Sequence, residues 1–283
     1  MENYTIIKPL KIADIWKDKQ QLKKRMYFLA GCTDVMVYLR EGLLQEGALL
    51  ADISGLQEMN FIKESGSFIE IGGLTPFCDI IGSAIVKKYA PVLAEASKTI
   101  GSPQLRSRAT IGGNLGNASP AGDSLPALAV LDAEVVTRLG GSVKKYQVSK
   151  LFAGPKKTVL KNGELITAVK FKKPGAAKGV FVKLGSRNSM AISKLSVAVL
   201  YSAEKNKVKN IRIACGAVAP TVVRATKTEK FLTEKKLDQF VISEAKEMLR
   251  KEISPISDIR STGGYRRAAA ANLLENILLS AVK

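Results

Sequence analysis

Histidine is absent from all 283 residues. That excludes a Ser-His or Cys-His nucleophile, histidine-held zinc or haem, and imidazole acid–base chemistry. Cysteine is nearly absent: Cys32, Cys78 and Cys215 lie far apart in the chain. They form neither a disulfide framework nor a CxxC site, and are too few for an ordinary four-cysteine iron–sulfur cluster. Aromatic residues make up only 6% of the chain, without the interleaving of basic and aromatic residues that single-stranded nucleic-acid binders use. No apolar run approaches the ~18 residues of a membrane span. The first twenty residues mix charges throughout and lack the apolar centre of a secretory signal, so a cytoplasmic location is expected. Chemistry done here must come from a bound organic cofactor, a carboxylate or a lysine.

Positive charge, by contrast, is abundant. Lysine and arginine number 44 against 25 acids, a formal charge of +19. Such a surface attracts polyanions: nucleic acid, an acidic protein face or a phosphate-bearing ligand. The surplus is uneven. Residues 1–172 hold 23 bases and 16 acids, whereas residues 173–283 hold 21 and 9. With 46% apolar residues and about twice the ~150 residues of an average domain, one large or two medium globular units are expected.

The N-terminal third alternates strand and helix patterns. Met26–Ala30 reads as a buried strand ending at Gly31, followed by a helix carrying Val35, Met36, Tyr38 and Leu39 until Gly42, then a strand over Ala48–Ile53. This is a short βαβ-like unit. Residues 61–73 read as a hairpin turning at Glu64-Ser65-Gly66, and Thr75-Pro76 as the cap and first position of a helix running through Ile85. A further helix begins at Pro91. Thr110–Asp123 reads as a glycine-rich loop, Leu125–Leu131 as a short helix and Glu134–Leu139 as a strand. Lys170–Gly179, with a proline, two glycines and four lysines, reads as a linker. Strands Val180–Leu184, Leu195–Ser202 and Asn210–Val218 follow, then helices near Ala225–Leu232, Phe240–Leu249 and Gly264–Leu279.

Two segments could bind an anion. In TIGGNLGNASPAGD (Thr110–Asp123), glycines let a ligand approach the main chain, and free N–H groups in such a loop form an anion-binding concavity. In LAGCTD (Leu29–Asp34), a strand runs through Gly31 into a helix N-terminus, an arrangement suited to phosphate. Neither matches GxGxxG, and GxxxxGK[ST] does not occur, which disfavours a Rossmann dinucleotide site and a P-loop.

Together, the AG-x-TD turn and the later IGSPQLRSRATIGGNLGNASPAGD resemble the flavoprotein subunits of molybdenum hydroxylases, a family that includes the FAD subunits of xanthine dehydrogenase and aerobic carbon monoxide dehydrogenase. FxKLGxR (Phe181–Arg187) and DIRSTxxYRR (Asp258–Arg267) support the resemblance, which covers essentially the whole chain. It implies an α+β fold: a two-subdomain FAD-binding domain over residues 1–172, with subdomains of about 1–56 and 57–172. A smaller α+β C-terminal domain would follow over 176–283, with a three-stranded antiparallel sheet and helices.

The resemblance also implies a role and a site. FAD would pass electrons from [2Fe–2S] clusters in a small partner subunit to NAD or another acceptor, and molybdopterin would sit in a large partner subunit. The diphosphate would be cradled by Ala30, Gly31, Cys32, Thr33, Asp34 and Val35 and by Thr110, Ile111, Gly112, Gly113 and Asn114. Ala118, Pro120 and Asp123 would continue along the adenine–ribityl side, and Lys183 would lie near the flavin edge. No side chain here is expected to act as a catalytic acid or base, and no metal ligand is expected in this chain.

Two departures stand out. The first turn of the family usually reads AGGTD, and Cys32 replaces its second glycine: strained if φ is positive, harmless if extended. Arg106-Ser107 stands where the family often has RN. Plainer readings compete. Asp34 could be a dipole-favoured acid and Asp123 a helix cap, Lys183 a solvated strand end, and Arg106 and Arg108 ordinary salt-bridge partners. Arg260, Arg266 and Arg267 read as an interface or a solvated helix start. A flavoprotein oxidoreductase acting alone, and a basic nucleic-acid-binding module, are the alternative functions.

Overall fold

The computed structural model describes residues 4–18, 20, 23–187, 190–205 and 207–282. A small parallel sheet opens the chain, with Leu49–Asp52 between Thr5–Ile7 and Met26–Leu29. The helix Val35–Arg40 forms the crossover, as the βαβ pattern predicts. Leu49 and Ala51, fully buried, pack with Leu56, Met59 and Leu74 in a core of their own. Trp16 borders this core and donates from Nε1 to the Gly163 carbonyl at 2.9 Å.

The second sheet is five-stranded and antiparallel, in the order Ile62–Ser65, Phe68–Gly72, Leu165–Lys172, Glu134–Leu139, Ser142–Gln147. Its middle strand overturns the linker reading. In Val169-Lys170-Phe171-Lys172 the apolar residues are buried and the lysines alternate outward, a period-2 pattern that the proline and glycines beyond it obscured. Only residues 173–177 separate this strand from the next, Lys178–Leu184.

Two helix readings also change. The helix after Thr75-Pro76 is Phe77–Gly82, with Pro76 one position outside it, because the Thr75 hydroxyl turns away to donate to the Phe61 carbonyl at 3.0 Å. Ser83 ends that helix and caps the next, Ala84–Tyr89, by accepting from Val86 N at 3.3 Å. The expected glycine-rich loop contains a helix, Ile111–Asn117. Its glycines cost helical stability, and burial of Ile111 and Leu115 with capping by Thr110 offsets the cost. The turn ends in left-handed Ala118, φ 50°.

The third sheet joins Lys178–Leu184, Leu195–Glu204 and Lys207–Gly216 in antiparallel order, with a fourth, two-residue strand at Val223–Arg224. Leu195–Tyr201 is buried at every position because the sheet is covered on both faces. Small or medium residues (Ala198, Leu200, Ala214) pack on the core around Leu93, Leu128 and Phe171. Leu195, Val197, Val199, Ile213 and Cys215 pack against helices Thr226–Leu232, Gln239–Glu252 and Gly263–Val282. The core around Leu93 is therefore shared between the N-terminal and C-terminal parts. Among the described residues, no helix is long and apolar enough to cross a membrane.

Candidate functional site

The first turn is built by the parallel pairing of Met26–Leu29 with Leu49–Asp52, which delivers Ala30 to the start of the Val35–Arg40 helix. Gly31 is obligatory for packing: a Cβ there would lie 1.8 Å from the Arg108 carbonyl oxygen. Cys32 has φ 62°, so the open question resolves to strain, of about 1–2 kcal/mol for a residue with a side chain. Among the described residues, the backbone N–H groups of Gly31, Cys32, Thr33, Asp34 and Val35 have no protein acceptor. Five consecutive unpaired amides at the foot of a strand–helix join form a concavity of partial positive charge.

The second turn differs. Ile111 N donates to Thr75 O (3.1 Å), Gly112 N to Gly73 O (2.9 Å), Gly113 N to Thr110 Oγ1 (3.1 Å) and Asn114 N to Thr110 O (3.0 Å). The expected free amides are not here, because the cap and the neighbouring strand end have taken them. What this helix offers is bare backbone. Gly113 and Gly116 are exposed on its outer side, and a Cβ at Gly116 would meet nothing nearer than Ile166 at 3.9 Å.

The two turns are tied together. Asn117 donates to Asp34 Oδ1 at 2.9 Å, and the Tyr38 hydroxyl donates to Asn117 Oδ1. Asp34 therefore does not cap its helix. Burial pushes its carboxyl above the usual range, against the opposing pull of Lys156. The Lys156 ammonium stands 4.8 Å from the centre of the Tyr38 ring. Burial also raises the Cys32 thiol, as does Asp52, while Arg108 acts in the other direction.

Between the turns lies a cavity of about 510 Å³. Ala30, Gly31, Cys32, Thr33, Asp34, Val35, Thr110, Gly112, Gly113 and Asn114 line it, as expected. Tyr27, Phe28, Leu44, Leu160 and Lys161 also line it. Tyr38, Gly116, Asn117 and Lys156 belong to the same cavity and were not singled out from the sequence. Tyr38 carried a signal, lying four residues after Asp34 on one helix face. Lys156 carried none, since the hairpin of Phe152–Gly154 with Lys157–Thr158 places it.

Five expected site residues do not line this cavity. Ile111 is fully buried in the core. Ala118 is buried, and its carbonyl accepts from Lys156 N; the Pro120 carbonyl accepts from Ala217 N at 2.9 Å. Asp123 and Lys183 form a buried ion pair at 2.6 Å, with side chains only 6% and 11% exposed. Lys183 also donates to Thr99 O (2.8 Å), and Asp123 accepts from Thr99 and Ser193. Burial raises the Asp123 carboxyl above its ordinary value, opposed by Lys183 and the two hydroxyls. Asp123 caps no helix, and Lys183 is not a solvated strand end. Arg106 donates to the carbonyls of Ile100 and Gly101 rather than to an acid. Of the cysteines, only Cys215 is buried.

Whether these residues suit a dinucleotide is answered by the cavity itself. Unpaired amides on one side match phosphate oxygens, and a helix face stripped of side chains opposite them admits close approach.

Comparison with known proteins agrees. Residues 2–173 match the FAD binding domain in molybdopterin dehydrogenase, and residues 181–281 the CO dehydrogenase flavoprotein C-terminal domain. The glyceraldehyde dehydrogenase medium chain of Sulfolobus acidocaldarius is 32% identical over 239 residues, 84% of each chain. The carbon monoxide dehydrogenase medium chain of Hydrogenophaga pseudoflava is 30% identical over 92% of this chain and 91% of its own. A solved structure of carbon monoxide dehydrogenase from Hydrogenophaga pseudoflava that lacks the Mo-pyranopterin moiety of the molybdenum cofactor superposes with a TM-score of 0.91 at 26% identity, covering 97% of this chain and 95% of that one. The chain thus belongs to the family of FAD-binding oxidoreductase subunits of molybdopterin dehydrogenases.

Proposed function

We propose that this chain holds FAD in a multi-subunit molybdenum hydroxylase and passes electrons from [2Fe–2S] clusters in a small partner chain to NAD or another acceptor. Molybdopterin would lie in a large partner chain. The observation that carries this reading is the row of five amides, Gly31 to Val35, unpaired among the described residues and lining one cavity with the exposed glycines Gly113 and Gly116. The medium-chain and FAD-subunit names of the relatives support the multi-subunit part.

In this reading the Gly31–Val35 amides hold the diphosphate, and the Lys156 ammonium, placed over the Tyr38 ring, lines the same cavity. Asn117 keeps the two turns in register by donating to Asp34. The Gly113–Gly116 face lets the ligand lie against main chain. The Asp123–Lys183 pair, with Ser193 and Thr99, fixes the Lys178–Leu184 strand against the N-terminal part. Its contribution is positional, since both charges are already compensated within the protein. Bound flavin would supply the redox chemistry, accepting electrons from one side and delivering them to the acceptor.

The direct test is reconstitution. Flavin-free protein mixed with FAD should retain about one flavin per chain after gel filtration, with visible flavin absorbance. Failure to retain flavin overturns the reading. Copurification with iron- and molybdenum-bearing chains separates the subunit role from a flavoprotein acting alone.

A further inference from the structure

Residues 253–262, between the last two helices, form a turn held by an unusual number of hydrogen bonds. The Asp258 carboxylate accepts from Arg260 N (2.9 Å) and Ser261 N (3.2 Å). It also accepts from Arg260 Nε (3.1 Å) and Nη2 (2.6 Å), and from Arg266 Nη2 (2.6 Å). Gly263 N donates to Ser257 Oγ at 2.9 Å, and Ser254 N to Val218 O at 3.0 Å. Arg266, 3% exposed, anchors the turn from below by donating to the Ala217 carbonyl.

On this fixed frame, Ile259 is 105% exposed, Ile256 64% and Tyr265 52%. Single apolar residues at a surface need no explanation. Here, however, Ile256 and Ile259 share one hydrogen-bonded turn, and Tyr265 lies in the first turn of the helix that follows it. Burying an isoleucine is worth about 1.5–3 kcal/mol, and the ordering cost of presenting these has been met by the hydrogen bonds beneath. The rim is cationic. Arg260 and Arg267 are exposed, and the Lys194 ammonium lies 6.0 Å from the centre of the Tyr265 ring. Within residues 253–267 the one acid is Asp258, which is already engaged by two guanidinium groups. A second copy would bring arginine against arginine in a chain of net charge +19. Charge complementarity therefore selects a different chain with an acidic rim.

We infer that the Ile256–Tyr265 turn is the docking surface for an acidic partner subunit, which covers Ile256 and Ile259 and pairs with the surrounding arginines. The inference rests on the proposed subunit role.

The test uses the complex purified from its own cells through a tag on this chain, comparing wild type, an Ile256→Asp/Ile259→Asp double variant, and Arg267→Glu. Iron, molybdenum and FAD per chain are measured. The double variant should lose iron and molybdenum by about tenfold or more, and Arg267→Glu by a few-fold, as rim charges do. FAD per chain and melting temperature should stay at wild-type values, because all three side chains are exposed. Variants that keep wild-type iron and molybdenum overturn the inference. So does a wild-type self-association that the variants abolish while both metals remain. Wild-type protein with FAD but neither metal overturns the subunit role, and the docking surface with it.

Discussion

The two turns that frame the cavity look alike in sequence, each a short glycine-bearing stretch leading into a helix, yet they are opposite in hydrogen-bonding state. Around Gly31 the amides are open and the glycine is consumed by packing on Arg108. Around Gly112 the amides are closed by Thr110, Thr75 and Gly73, and the glycines that remain free, Gly113 and Gly116, face outward. One turn is equipped to donate hydrogen bonds to an anion, the other to let a ligand lie flat against main chain. Glycine content alone does not distinguish these tasks; the fate of each N–H does.

Substitution at the glycines should expose the division most strongly. Gly31→Ala places a methyl group inside the Arg108 carbonyl, backbone against backbone. It should cost about 3 kcal/mol in urea unfolding of flavin-free protein and abolish flavin retention. Gly116→Ala should do the reverse to stability, adding about 0.5–1 kcal/mol as an ordinary helix substitution. FAD should nevertheless bind about tenfold more weakly by fluorescence titration, a loss of about 1.4 kcal/mol. Equal affinity would show that the ligand does not use this face.

Cys32→Gly sharpens the comparison on the donor side. It relieves the left-handed backbone at φ 62° and adds entropy to the unfolded chain. A net gain below about 1 kcal/mol and a few-fold slower FAD dissociation are expected. The smallest effect concerns Asp34, whose raised carboxyl pKa means that it takes up a proton at higher pH than an ordinary aspartate. Protonation would remove a negative charge beside the proposed diphosphate site, so FAD affinity should rise as pH falls through the raised carboxyl pKa, at higher pH than an ordinary aspartate would give. Asp34→Asn should flatten that slope in the same titration.

Much of this was legible in the sequence. The βαβ unit, the Phe61–Gly73 hairpin and the three last helices follow from period and punctuation, and ten residues of the two anion-binding segments do line the cavity. The failures have physical reasons. Ile111–Asn117 reads as loop because three glycines and two asparagines outweigh a helix pattern of only two buried apolar side chains, Ile111 and Leu115. Lys170 and Lys172 disguise a central strand whose other face is Val169 and Phe171. Lys156 and Asn117 enter the site through tertiary contacts with Tyr38 and Asp34, at separations no local pattern reports. The pairing of Lys183, expected near the flavin edge, with Asp123 and Thr99 joins positions 60 and 84 residues apart, which no local pattern reports.

Backbone amide NMR during titration with ADP and then FAD tests the contrast between the turns most directly. The amide resonances of Gly31 to Val35 should shift strongly with either ligand, since both carry a diphosphate, while those of Ile111 to Asn114, already bonded within the protein, move little. Unmoved amides at Gly31–Val35 beside large shifts at Ile111–Asn114 would contradict the assignment of the diphosphate to the first turn.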